Sequence, residues 1–186
     1  PSKGGIPFVE YKRRQAQHRQ AETRALLDVA EFIERAHDIY GYHHFVCDSG
    51  GSLCEVVDVH DPHDAALSSL ASTTLLVHIK GNEAHTRELV ARFRRHPKPM
   101  YYQPEFLEAA WARYKDLMRV ADDDAVDPDE FAAWGFEQLV RHREPLYDAI
   151  ATQHGYTIRM EDVPAIRTES DFLSLLAHTI DTAPRS

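Results

Sequence analysis

His44-Phe-Val-Cys-Asp-Ser-Gly-Gly-Ser-Leu-Cys-Glu-Val-Val-Asp58 is the stretch on which the reading of the fold turns. Phe45-Val46-Cys47 is apolar and suited to a pleated strand, so the spacing predicts a first strand over His43–Cys47. Asp48 follows, and then Ser49-Gly50-Gly51-Ser52, a run too flexible to continue a helix or strand cheaply. In open α/β sheets, ligands collect at the carboxyl ends of strands. An acid followed by Gly-Gly at such an end suits a magnesium–phosphate site. Asp48 is the candidate catalytic acid and metal ligand, and Ser49, Gly50 and Gly51 offer backbone N–H groups to an anionic substrate. The same residues also describe a buried strand that ends in an ordinary Asx turn. The stretch alone leaves both readings open.

Outward from this stretch, strands and helices alternate. Upstream, Phe8 to about Arg19 is helix-compatible and basic, and a second helix from about Ala21 to Tyr40 closes at Gly41. Downstream, Leu53–Val57 is short and apolar, and Asp58-Val-His-Asp-Pro-His-Asp64 is a polar loop that leads into a helix over Ala65–Leu70. Thr73–Ile79 reads as the clearest strand, its continuous apolar run implying burial on both faces. Helices are expected from Glu83 to Arg95, from Pro104 to about Val120 and from Pro128 to about Thr152. A third strand is expected over Gly155–Met160, and Ser170 is read as the cap of a terminal helix, Asp171–Ile180. Strand–helix alternation of this kind predicts a three-layer α/β fold, with a mainly parallel sheet flanked by helices.

The 186 residues suit one domain, 1–186, and their formal net charge of −9 argues against coating nucleic acid or an anionic membrane. No run approaches the roughly 18 apolar residues of a membrane span, and no signal-peptide pattern opens the chain. Two cysteines, Cys47 and Cys54, are too few for a disulfide framework, so a reducing cytoplasm is the expected compartment.

Three segments, taken in order, resemble the later portion of small P-loop kinases, the group of shikimate, gluconate and nucleoside monophosphate kinases. Phe45-Val-Cys-Asp-Ser-Gly-Gly51 is similar to the strand whose acidic end lies beside metal and substrate. Thr74-Leu-Leu-Val-His-Ile79, the helix ending in Arg92, Arg94 and Arg95, and Pro97-Lys98-Pro99 are similar to the strand–helix–lid passage. Arg141-His-Arg-Glu-Pro-Leu-Tyr147 is similar to the Arg-x-Pro-Leu-Tyr helix. The resemblance covers roughly residues 43–180 and implies ATP and Mg²⁺ as cofactors, with an unidentified small-molecule acceptor. It implies Arg92, Arg94, Arg95, Lys98, Arg141 and Arg143 as phosphate clamps and residues 98–127 as a helical lid insertion. The departure is the string Gly-x-x-x-x-Gly-Lys-[Ser/Thr], whose N–H groups cradle phosphates; it is not present. With a start at Pro1 rather than Met, the expectation is that the upstream strand, phosphate loop and helix lie outside these 186 residues. The alternative is a P-loop-like relic that binds without catalysing.

In such a site, catalysis is positioning and charge stabilisation, with Asp48 as the metal-linked acid or the base toward a hydroxyl. Guanidinium forks match phosphate oxygens, although a basic helix end is equally a solvated face favoured by the helix dipole. Arg13 and Arg14 are further candidates for an anionic acceptor. Zinc is a weaker idea, since the Cys47–Cys54 spacing matches no common finger. Within 58–64, Asp58, His60, Asp61, His63 and Asp64 offer a divalent-metal alternative. A non-catalytic interaction module is the remaining alternative, built on Pro97-Lys-Pro-Met-Tyr-Tyr102 with Phe106 and Trp111.

Overall fold

A computed structural model describes residues 5–98 and 100–183. Residues 1–4 and 184–186, and Pro99 of the Pro97-Lys98-Pro99 segment, lie outside the described residues. The chain is mostly helical and carries only two strands among the described residues. This corrects the expectation of a three-layer α/β fold with a mainly parallel sheet.

Two long N-terminal helices, α1 (Phe8–Leu27) and α2 (Val29–Tyr40), meet at Asp28. The break expected near residue 20 does not occur, because nothing between Arg19 and Ala21 disfavours a helix. Gly41 closes α2 with φ +66°, its N–H bonded to the His37 carbonyl at 2.8 Å. That left-handed conformation is where glycine carries no steric cost.

The expected strand over His43–Cys47 is unpaired and irregular, and Cys47 is exposed rather than directed into a sheet. An apolar stretch becomes a strand only when a neighbouring segment pairs with its backbone, and among the described residues none does. Leu53–Val56 is instead the one-turn helix α3, buried on every side. A short apolar run does not distinguish a strand from a buried helical turn.

Helix α4 (Ala65–Thr73) starts at Asp64, whose carboxylate accepts the Leu67 N–H. It continues past the expected stop because the Thr73 and Thr74 hydroxyls donate back to the Ser69 and Leu70 carbonyls, at 2.8 and 2.7 Å. Strand β1 is therefore Leu76–Lys80, and it pairs in parallel with β2 (Gly155–Arg159), Leu76 opposite Gly155 and Lys80 opposite Arg159. Between them come α5 (Glu83–Arg95), α6 (Pro104–Met118) and α7 (Pro128–His154). Asn82 caps α5 in a capping box with His85, and Asp127 caps α7 ahead of Pro128. The last helix, α8 (Glu169–Thr182), is capped by Thr168, not Ser170. Thr168 and Asp171 satisfy each other's backbone N–H groups, a capping box that starts two residues earlier.

Helix α7 joins two cores. Its N-terminal part supplies Phe131 and Leu139 to a cluster with Tyr102, Leu107 and Tyr114. Its C-terminal part supplies Ile150 to a cluster with Leu26, Leu53, Leu67 and Leu70. No helix among the described residues is long and apolar enough to cross a membrane.

Candidate functional site

Asp48 stands at the end of the extended stretch and begins an Asx turn: its Oδ1 accepts the Gly50 N–H at 2.9 Å. Gly50 takes φ +68°, the backbone state that this reversal needs and that a side chain would disfavour. The turn is gripped from α7. The Gly51 carbonyl accepts from Arg143 Nη1, and the Gly50 carbonyl accepts from the Tyr147 hydroxyl at 3.3 Å.

Arg143 is not a solvent-facing phosphate clamp. It is 8% exposed, and its partner Glu55 is 0% exposed. Nε donates to Glu55 Oε1 at 2.8 Å and Nη2 to the Tyr101 carbonyl at 2.8 Å. Glu55 Oε2 accepts the Gln103 N–H at 2.9 Å. One guanidinium thus ties the turn, α3 and the 101–103 segment to α7. A buried charge persists only when paired and hydrogen-bonded, and both conditions are met here.

The other basic candidates are dispersed. Arg94 pairs with Glu137 at 2.8 Å, Arg141 with Glu83 at 2.9 Å, and Arg13 and Arg14 share Glu10 at 2.7 and 2.9 Å. Those two guanidiniums hold the Glu10 carboxyl down to about 2. Arg92 and Arg95 lie exposed on α5. Lys98 and Arg14 line a cavity of about 580 Å³ beside Tyr101 and Trp111. Asp48, Ser49, Gly50 and Gly51 line a different cleft, of about 1210 Å³, together with β1, Tyr147 and α8 residues. The structure therefore brings together the acid turn and Arg143, and it leaves every basic candidate, Arg143 included, outside the cleft lining. In an acidic chain, exposed arginines find carboxylates on neighbouring helices, and spacing along the sequence does not reveal those pairings.

His78, on β1, stacks on Tyr147 with ring centroids 5.5 Å apart. Burial lowers the His78 pKa from its ordinary value, with Lys80 adding to the effect and Asp148, 3.7 Å away, opposing it. Burial pushes the Cys54 thiol up to about 11; partial burial and then Asp48 also raise the Cys47 thiol, but Cys47 is exposed and Cys54 buried. Since the thiolate is the nucleophile, iodoacetamide at pH 8 is expected to modify the native chain once, at Cys47. Two modifications are expected in urea. Peptide mass mapping checks this, and native labelling at Cys54 would contradict the packing around α3.

Glu55, Tyr147 and His78 were not assigned roles from sequence. Glu55 did carry a signal: it is the one charged residue within Leu53-Cys-Glu-Val-Val57, and an acid inside an apolar run requires a buried partner. In the 58–64 loop, Asp58 and Asp61 accept the His60 and His63 N–H groups, and Asp64 accepts those of Asp58 and Leu67. Among the described residues, no group of three or more His, Cys, Asp and Glu side chains could hold a metal ion. Comparison with protein-family models, with curated proteins and with solved structures finds no match for this chain.

Proposed function

We propose that the Asp48 turn is the acid element of an ATP-dependent phosphoryl-transfer or ATP-hydrolysis site. The observation that carries this reading is the turn itself: an exposed carboxylate at the rim of a large cleft, followed by two glycines whose carbonyls are pinned by Arg143 and Tyr147. Mg²⁺ binds through one or two carboxylates and keeps several waters, so a single aspartate on a fixed turn fits it. A bound magnesium ion would supply charge neutralisation on the phosphates. Asp48 would hold that ion's water, or orient the hydroxyl of a small-molecule acceptor. The Gly50–Gly51 backbone keeps its position because Arg143 and Tyr147 anchor it from below. Among the described residues no cradle is built for the nucleotide's phosphates, so the reading assigns only the acid turn to these residues.

Titration with Mg-ATP, followed by amide NMR, tests it. Magnesium-dependent shifts are expected at Asp48–Gly51, and Asp48→Asn is expected to abolish them while the remaining spectrum stays native. Shifts that persist in Asp48→Asn, or none in the parent protein, would remove Asp48 from the mechanism. The second reading is a non-catalytic interaction module. It is favoured by the apolar side chains Phe45, Val46, Leu75 and Ile79, which stand exposed along the same cleft.

A further inference from the structure

Two rims of the large cleft share one deficiency. Strand β1 uses one edge to pair with β2, and its other edge pairs with nothing among the described residues. Residues 43–49 make no backbone–backbone hydrogen bond among the described residues. Both segments line the cleft through consecutive residues, 75–79 and 42–51, rather than alternate ones. In a strand, alternate residues face opposite sides, so lining by consecutive residues means that the cleft runs along the β1 edge. The rims are apolar and open: Val46 is 88% exposed and Ile79 47%. Among the described residues the lining carries the carboxylates Glu34, Asp38 and Asp48 and no Lys or Arg, beside four histidines, of which His37 meets Asp38 at 3.2 Å.

We propose that this cleft is a slot for one extended strand contributed by a separate partner protein. The strand is apolar along its middle and carries a Lys or Arg at a flank. A strand is the occupant whose backbone satisfies a row of free N–H and C=O groups, and it extends the parallel ladder that β1 already makes with β2. An incoming helix has its backbone groups satisfied internally and leaves both rows unpaired. The basic flank follows from the acidic lining, since opposite charge fixes partner and register. A second copy of this chain is disfavoured, because the open segments it offers, 43–49 and 75–79, carry no Lys or Arg to meet the acidic lining. The inference does not rest on the phosphoryl-transfer reading and survives its failure.

The test uses the 186-residue protein and the synthetic peptide Lys-Val-Ile-Val-Thr-Val-Lys at about 1 mM, a concentration that detects weak binding. Amide hydrogen exchange is expected to slow by about tenfold or more over residues 43–48 and 75–80, the signature of newly paired backbone. A peptide with Pro replacing the central Val lacks the ladder N–H and is expected to give no protection. Val46→Asp, at a fully solvated side chain, is expected to weaken protection while leaving exchange elsewhere unchanged. The proposal is overturned by unchanged exchange at saturating peptide, by protection elsewhere, or by equal protection from the Pro peptide. Sedimentation of the protein alone supplies the other arm: dimerisation that protects the same residues would overturn it in favour of a second copy.

Discussion

Arg143→Ala is expected to destabilise the protein by about 3–5 kcal/mol, the cost of leaving a buried charge without its partner. Three contacts vanish together. Glu55, fully buried, keeps only the Gln103 N–H, and the Gly51 and Tyr101 carbonyls lose the donors that hold them. Against a total stability of roughly 5–15 kcal/mol for an ordinary domain, that is a large share. Arg143→Lys keeps the charge but replaces a three-directional fork with a point donor, so it is expected to recover only part of the loss. The double variant Arg143→Met with Glu55→Leu removes both charges and is expected to be more stable than Arg143→Ala. Urea unfolding of the three variants checks the order. A loss below about 1 kcal/mol for Arg143→Ala would mean that the guanidinium is solvated, as surface pairs of that magnitude are.

Gly155→Ala is expected to have the next largest effect. A Cβ at Gly155 would land on the Leu76 carbonyl oxygen, 2.8 Å from Leu76 Cβ and 3.0 Å from its carbonyl carbon. The obstacle is backbone, and it belongs to the first residue pair of the β1–β2 ladder. Relief therefore requires the strands to part at that end. Overpacking of this kind costs about 1–3 kcal/mol, and more where the neighbour cannot shift. The loss is expected to appear as faster amide exchange across Leu76–Lys80. Gly41→Ala is the control: it meets open space but sits at φ +66°, so only the left-handed backbone penalty of about 1–2 kcal/mol applies. A Gly155→Ala protein with unchanged exchange in β1 would contradict the parallel register.

Helix starts were legible at Asn82, Pro104 and Pro128, but not at α8, where Thr168 rather than Ser170 is the cap. Glu83–Arg95 starts after Asn82, and the helices opening at Pro104 and Pro128 begin where those prolines stand. The strand over His43–Cys47 was not legible, because extended backbone and paired backbone have the same composition, and pairing depends on what lies alongside. The two strands that do pair, Leu76–Lys80 and Gly155–Arg159, are 75 residues or more apart in sequence (155 − 80 = 75), and α7 packs against both. Of the two readings of the Asp48 stretch, the Asx turn is present, with Asp48 accepting the Gly50 N–H, but the buried strand expected ahead of it is not. The pairing of the arginines was not legible: Arg13 and Arg14 meet Glu10 one turn earlier on α1, Arg94 and Arg141 meet Glu137 and Glu83 across α5 and α7, and Arg143, two residues from Arg141 on one helix, is turned inward. Two positions that differ by about 200° around a helix have opposite fates.

The grip of α7 on the glycine turn also sets an order of events in time. Arg143 lies 92 residues after Gly51 and 88 after Glu55, and Tyr147 lies 97 after Gly50. A ribosome adds roughly 5–20 residues each second, so the turn is synthesised several seconds before the side chains that anchor it. During that interval the Asp48 segment and its flanking apolar residues are a nascent chain without a lock. The glycine turn is made early and set late.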